Sequence, residues 1–407
     1  GRPPADKAVS LLNSAYNGWG GEPLFSWKAT YPDTTDDDHH LYIEENGQIT
    51  AYARLYHRVL RLQDRTETVV FRGNSAVHPH YQGGGRYGAL HRATKAYCAD
   101  RGIETILTFN RTDSPTYTTS LKNAWRSREL PLFVRLLDPD AALRQYAQAV
   151  IEAQPVLRTV GTVFAPLFSL HIEGASIPLG ALVDEESPAF ARTFPFYLTP
   201  KAITEIIEMV STDRSSTALA RTLCSLAVNR QITPFTDITD GEPTPTPVVP
   251  ETVTIAEPQS YSPEEKTAIR RVIHRANDPY PVHFRRSSRD LEHLLEHPDI
   301  IGTYLHSDGD TIDGFASVYA VSNEGATEAR ILEFAADTST AASALIQAIE
   351  ADCRRHDVAI LAGFFDTRPT PQWCAVDRHV LMWQSSSARV NAALDSSDWR
   401  LGFYDVV

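Results

Sequence analysis

Apolar residues recur at two periods along this chain, and the switches between those periods mark out its elements. Residues 6–16 put Ala8, Leu11, Leu12 and Ala15 on one side of a helix. Residues 40–44 and 49–60 read as strands, and Glu45-Asn46-Gly47 between them has the chemistry of a tight hairpin turn. An apolar run from Val69 leads to Val77, and a helical pattern follows with Leu90, Ala93, Ala96 and Tyr97 near one face. Gly102 stands where a helix stop is expected. Residues 103–109 form a buried-strand run. Ser114-Pro115 reads as an N-cap and first helical position, opening a helix toward residue 125, and residues 131–137 give a further strand.

Much of this order recurs late in the chain. A strand at 253–256 and a helix at 263–275 precede strands at 301–305, 313–321 and 329–335. A helix from 339 to about 356, a strand at 359–364 and a tail at 399–407 complete it. Between the two series, 139–238 reads as a mainly helical connecting region, with helices such as 141–153 and 202–210, and 239–250 as a Pro-rich linker. The expected division is therefore 1–138, 139–238, 239–250 and 251–407. The expected class is α/β, with a mixed, mostly antiparallel sheet flanked by helices in each end region.

The stretch from Val77 to Gly88, Val-His-Pro-His-Tyr-Gln-Gly-Gly-Gly-Arg-Tyr-Gly, changes the picture from fold to chemistry. A strand, a glycine turn and a helix start make an anion cradle. Gly83, Gly84 and Gly85 let the backbone approach closely, and the first-turn amides of the helix face the anion. Gly83-x-Gly85-x-x-Gly88 matches the letters of a dinucleotide fingerprint, but a His-Pro segment separates strand from glycines. Arg86-Tyr87 stands where a triphosphate-binding loop needs Lys-Ser/Thr.

The stretch resembles the acetyl-CoA-binding motif of the GNAT acetyltransferase superfamily: a strand ending Val-x-Pro, then Gln/Arg-x-x-Gly-x-Gly/Ala, then a helix. Val77, Pro79, Gln82 and Gly85 match, and Tyr87 takes the final small position, as a bulky aromatic does in some branches. Gly88-Ala89-Leu90 continues the pattern. The order of elements in 1–138 resembles the GNAT core from its first helix onward. Residues 251–407 read as a second copy whose strand-to-helix junction, Ala335 to Thr340, holds Asp337 and no glycine. That copy is expected to be degenerate.

The resemblance implies acetyl-CoA as acyl donor. Gln82, Gly83, Gly84, Gly85, Arg86, Tyr87 and Gly88 would hold the pyrophosphate. Ser75, Ala76 and Val77 would line the pantetheine arm and polarise the thioester, where the family's strand splays from its neighbour. Asn110 falls where the superfamily often contacts the cofactor. Tyr117 is the candidate acid on the next helix, although the family's tyrosine falls nearer Leu121 and Lys122. His78, with a suitable intrinsic pKa, and Glu44 or Glu45 are the candidate bases.

Composition narrows the partners. A net charge of −13 argues against a nucleic-acid surface or an anionic membrane and suits a cationic amine, of a small molecule or a protein. It also argues against transfer from aminoacyl-tRNA. Basic residues are 32 arginines and only six lysines. No apolar run approaches a membrane span, and the four scattered cysteines suit reduced thiols in the cytoplasm. No metal site is expected: His39-His40 with Asp36–Asp38 reads as a solvated acidic loop, and His293 and His297 read as surface residues. The leading function is acetyl-CoA-dependent N-acyl transfer by direct attack on the thioester. The alternative is a non-catalytic GNAT-like ligand-binding or regulatory protein.

Overall fold

A computed structural model describes residues 1–16, 19–32, 39–112, 114–138, 169–172, 175–178, 248–321, 328–370, 373–396 and 398–406. The helices expected at 141–153 and 202–210, the acidic run Asp36–Asp38 and most of the Pro-rich linker lie outside these residues, whereas His39 and His40, expected with that run in a solvated loop, are buried at 3% and 5% exposure against Tyr97 and Tyr52.

The first series begins with α1 (Ala5–Tyr16) and α2 (Glu22–Ala29). Strands β1 (His40–Glu45), β2 (Gln48–Leu62) and β3 (Arg65–Val77) follow. Asn46 and Gly47 both have positive φ, 53° and 78°, so β1 and β2 close through the turn that their Asn-Gly pair favours. Next come α3 (Arg86–Asp100), β4 (Thr105–Arg111), α4 (Pro115–Lys122) and β5 (Arg126–Leu136). Gly102 at φ 64° lets the chain leave α3, and the Ser114 hydroxyl caps α4 by accepting from the Tyr117 amide at 3.1 Å. In the stretch read as helical, β6 (Ser169–Ile172) and β7 (Ala175–Pro178) pair as a separate two-stranded sheet.

The second series starts with β8 (Val253–Ala256), α5 (Pro263–Asn277), β9 (Val282–Phe284) and α6 (Ser288–Leu295). It continues through β10 (Ile300–Asp308), β11 (Thr311–Ala320), β12 (Glu328–Ala336) and α7 (Ser339–Arg355). Its last elements are β13 (Ile360–Phe364), β14 (Cys374–Ser385), α8 (Ala388–Ser396), β15 (Trp399–Arg400) and α9 (Phe403–Val406).

All strands except β6 and β7 form one mixed sheet, in the order β15-β9-β2-β3-β4-β14-β5-β13-β12-β11-β10-β8, with β1 also on β2. The two series interleave. β14 lies antiparallel between β4 and β5, and β5 lies antiparallel between β14 and β13. Outward from that centre, β4 is parallel to β3 and β13 parallel to β12, each pair joined through a helix, α3 or α7. The order is thus palindromic about the β14–β5 pair.

The largest core cluster likewise draws on both series, joining Trp27, Tyr31, Tyr56 and Phe71 to Leu291, Leu294, Trp383 and Tyr404. His293 and His297, expected at the surface, are buried at 4% exposure each. The reason is the apolar face of α6, which brings both rings onto Trp27, at 4.4 and 4.3 Å between centroids. His293 Nε2 donates to the Trp27 carbonyl at 2.8 Å, and Trp27 Nε1 donates to the His293 carbonyl at 2.7 Å. Burial brings His293 down to about 4 and His297 to about 3.

Because both histidines are neutral when folded, the unfolded chain binds more protons between these values and their ordinary one. Stability supplied by neutral His297 is present above about 6.5 and falls as pH drops toward 3. In His297→Gln, the plot of urea midpoint against pH over that window should be flatter than in the wild type.

Candidate active site at the β3–β4 gap

β3 and β4 pair only at Val70↔Ile106 and Phe71↔Leu107. Thr108 Oγ1 then donates to the Arg72 carbonyl at 2.9 Å, and from there β3 runs on to Val77 and β4 to Arg111 without further pairing. A wedge-shaped gap opens between the strand ends. β3 also carries a bulge, since Arg54 pairs with Gly73 but Tyr52 pairs with Ala76. Asn74, at φ 49°, occupies it. The extra residue turns Ala76 into the cluster of α1 and α2, while Val77 packs with Leu90 on the α3 side.

The glycine turn lies beyond Val77. A 3-10 turn at Pro79–Tyr81 leads to Gly83 at φ 80° and Gly85 at φ 77°, the N-cap of α3. The N–H groups of Gly83, Gly84, Gly85, Arg86, Tyr87 and Gly88 have no acceptor among the described residues. The first backbone bond of the helix is Ala89 to the Gly85 carbonyl, at 3.0 Å. Six consecutive amides at a helix N-terminus, unpaired among the described residues and with residues 82–85 exposed, are donors of the kind an anion would need.

The expected side chains are not all free to serve it. Arg86 forks onto Glu45 at 2.9 and 2.7 Å, and those bonds hold the Glu45 carboxyl below its usual range. Gln82 is exposed and reaches back to the Val77 carbonyl at 3.5 Å. Tyr87 points toward the sheet rather than over the amides: its hydroxyl takes a bond from Arg72 and lies 3.4 Å from Ser120 Oγ. That bridges α3 to α4 beneath the turn. Arg72 is 1% exposed and also meets His91 Nδ1 at 3.2 Å. Burial, with Arg72 next, brings His91 down to about 4. Asn110 lies on β4, its Nδ2 donating to Met382 Sδ at 3.1 Å.

Of the four acid–base candidates Glu44 and Glu45 share β1 while His78 and Tyr117 sit elsewhere, and among the described residues no hydrogen bond joins any two of them. His78 caps the 3-10 turn, its Nδ1 accepting from the His80 amide at 3.3 Å. Glu44 pairs with Lys7 at 3.0 Å. Tyr117 packs against the cluster of Tyr97, Ile106 and Trp125.

Other residues gather at the bulge that sequence reasoning passed over. Tyr16 donates to the Ser75 carbonyl at 2.7 Å, and Ser75 Oγ is buried without a partner among the described residues. Asn74 Oδ1 accepts from Trp19 Nε1 at 3.1 Å and from Lys28 Nζ at 3.4 Å. Asn74 Nδ2 donates to the Tyr56 hydroxyl at 3.0 Å. The only sequence signal was a lysine, scarce in this chain, on a short stretch rich in aromatics. No group of three or more His, Cys, Asp or Glu is placed to hold a metal among the described residues. No described helix is long and apolar enough to cross a membrane.

The fold is similar to that seen in crystal structures of Saccharomyces cerevisiae N-myristoyltransferase. One with bound myristoyl-CoA aligns at a TM-score of 0.55 and 11% identity, covering 93% of this chain and 79% of that one. Another, with myristoyl-CoA and inhibitors, aligns at 0.54 and 11% identity, over 99% of this chain and 83% of that one. No family model matches the sequence, and no curated protein matches it.

Gly85→Val should lower stability by roughly 1–2 kcal/mol in chemical denaturation, because its left-handed backbone penalises any Cβ although the space around it is open.

Proposed function

We propose that this chain is an acetyl-CoA-dependent N-acyltransferase, moving an acetyl group to the amine of a small molecule or protein by direct attack on the thioester. The observation that carries this reading is the run of unpaired amides from Gly83 to Gly88 beside the β3–β4 gap. A pyrophosphate needs several donors at once, and α3 presents them fixed in advance. From there a pantetheine arm would pass into the gap along Ser75, Ala76 and Val77, where the buried Ser75 hydroxyl awaits a partner. The likeness to a transferase crystallised with myristoyl-CoA supports an acyl-CoA donor. The net charge supports a cationic acceptor.

We further read 1–138 and 251–407 as two GNAT-like halves, the first binding the donor and the second degenerate. The palindromic sheet supports this, with β14 and β5 exchanged between the halves. A cytoplasmic setting is supported by the free, buried thiols of Cys98 and Cys353.

One observation favours the non-catalytic alternative: Glu44, Glu45 and His78 are each engaged in structural contacts. Thiol release in the presence of amines separates the two readings, since binding without turnover supports the alternative.

The binding itself is tested by Gly88→Asp. Position 88 is the third residue of α3, a Cβ there meets only Arg92 Nη1 at 3.5 Å, and an acidic side chain suits a helix's first turn. The fold should hold while the new carboxylate repels phosphate. Acetyl-CoA binding measured by calorimetry should weaken at least about 30-fold, roughly 2 kcal/mol. Unchanged affinity would reject the nest.

A further inference from the structure

Lys28 is 8% exposed, although a lysine at the end of a short surface helix ordinarily reaches solvent. Its Nζ reaches Asn74 Oδ1 at 3.4 Å and lies 5.2 Å from the centroid of Trp19. Among the described residues no carboxylate pairs with it. The charged or titratable groups that face it are Arg330 on β12, tied to Glu328 at 2.8 Å, and His297 beyond α6. The buried His297 Nε2 has no partner among the described residues. Burial, reinforced by Arg330, lowers Lys28 from 10.5 to about 7, so a neutral amine is available near physiological pH.

Its position relative to the gap gives that amine a use. Asn74 is the bulge residue of β3, and its side chain is shared among Trp19, Lys28 and Tyr56 on the side of α1 and α2. The glycine turn lies toward α3, on the other side of the sheet. A thioester that entered the β3–β4 gap from the α3 side would face the groups arranged on the opposite face. Next to Asn74 on β3, Ser75 has a buried hydroxyl without a partner among the described residues.

We infer that Lys28 is a catalytic residue, the base that takes the proton from the acceptor ammonium during acyl transfer through the β3–β4 gap. This rests on the acyltransferase reading. Neutral Lys28 removes one proton from the acceptor's ammonium group. The freed nitrogen lone pair forms the new N–C bond at the thioester carbonyl. The C–S bond then breaks with its electron pair left on sulfur, and the sulfur takes the second proton shed by the nitrogen. Lys28 returns its own proton to solvent, and the acceptor leaves as an amide with free CoA.

The test uses the full chain, acetyl-CoA, and two probe acceptors, spermidine and a short peptide with a free α-amine. Wild type, Lys28→Met and Lys28→Arg are compared for acetyl-CoA binding by calorimetry and for thiol release from pH 5.5 to 9. Methionine keeps the apolar stem and removes only the amine, so folding is expected to survive; melting curves check this. The wild-type kcat should rise with pH through about 7. In Lys28→Met the kcat at pH 7.5 should fall about 100-fold, with KM for acetyl-CoA within about twofold and the ascending limb gone. Arginine, which stays charged, should not restore it. An ascending limb retained in Lys28→Met, at whatever kcat, overturns the inference, because another group then carries the proton. Binding of acetyl-CoA with no turnover by the wild type overturns it too while leaving the donor site standing. Absence of binding overturns both.

Discussion

The parallel pairing of β3 and β4 stops after two register pairs, and the proposed chemistry depends on that stop. β4 cannot follow β3 because its other edge is held along its whole length by β14. β3 cannot follow β4 because the bulge at Asn74 changes its course and its other edge is paired with β2. The Thr108 hydroxyl satisfies the Arg72 carbonyl where the ladder ends, so the break does not leave that carbonyl unpaired. Each strand is therefore fixed by its outer neighbour, and the gap between them is a built feature rather than a frayed edge.

The same logic ties the two series of elements together. β3 and β4, which frame the gap, both belong to the first series, but β14 of the second holds the far edge of β4, and the apolar cluster beneath has no boundary between the two series. Arg58 shows how tightly the parts depend on one another. It projects from β2, donates to the Tyr31 hydroxyl and to the Tyr404 carbonyl, and packs against the rings of both, with no carboxylate among the described residues in hydrogen-bond reach. Arg286 is held differently, between Glu333 and Asp405 at 2.9 and 2.6 Å. Both guanidiniums are buried, so removing either set of partners would strand a charge away from water.

What was legible in the sequence was local. Asn46-Gly47, Gly102, Ser114-Pro115 and the glycine turn each act over a few residues, and their backbone conformations follow from their own chemistry. The order of helices and strands was legible only in part: α2, β9, β14 and α8 were not read from the sequence, and β6 and β7 fall in a stretch read as helical. The insertion of β14 between β4 and β5 was not legible, because β14 alternates as any strand does and nothing within residues 374–385 names a distant partner. His293 and His297 read as polar and therefore exposed, but Trp27 lies far away in sequence and only the folded chain brings it against them. Lys28 escaped notice on similar grounds. Its burial is a property of β3, β12 and α2 together, and the bulge that aims Asn74 at it leaves no pattern in the alternation of β3 strong enough to read.

The second series sharpens the reason for looking to α3 rather than α7. The β12–β13 pairing also stops early, after Arg330↔Ala362, and a cavity of about 330 Å³ opens near it, lined by Arg286, Glu333, Phe364, Arg400 and Asp405. The junction into α7 differs in its chemistry. Asp337 stands where an anion would approach, gripped by Arg275 at 3.0 Å, and the Thr338 hydroxyl already takes the Ala341 amide. A helix start that carries its own carboxylate and spends an amide on its own cap has little to offer a phosphate. The gap recurs in both series; the unpaired amides that would give it a thioester to work on belong to the first.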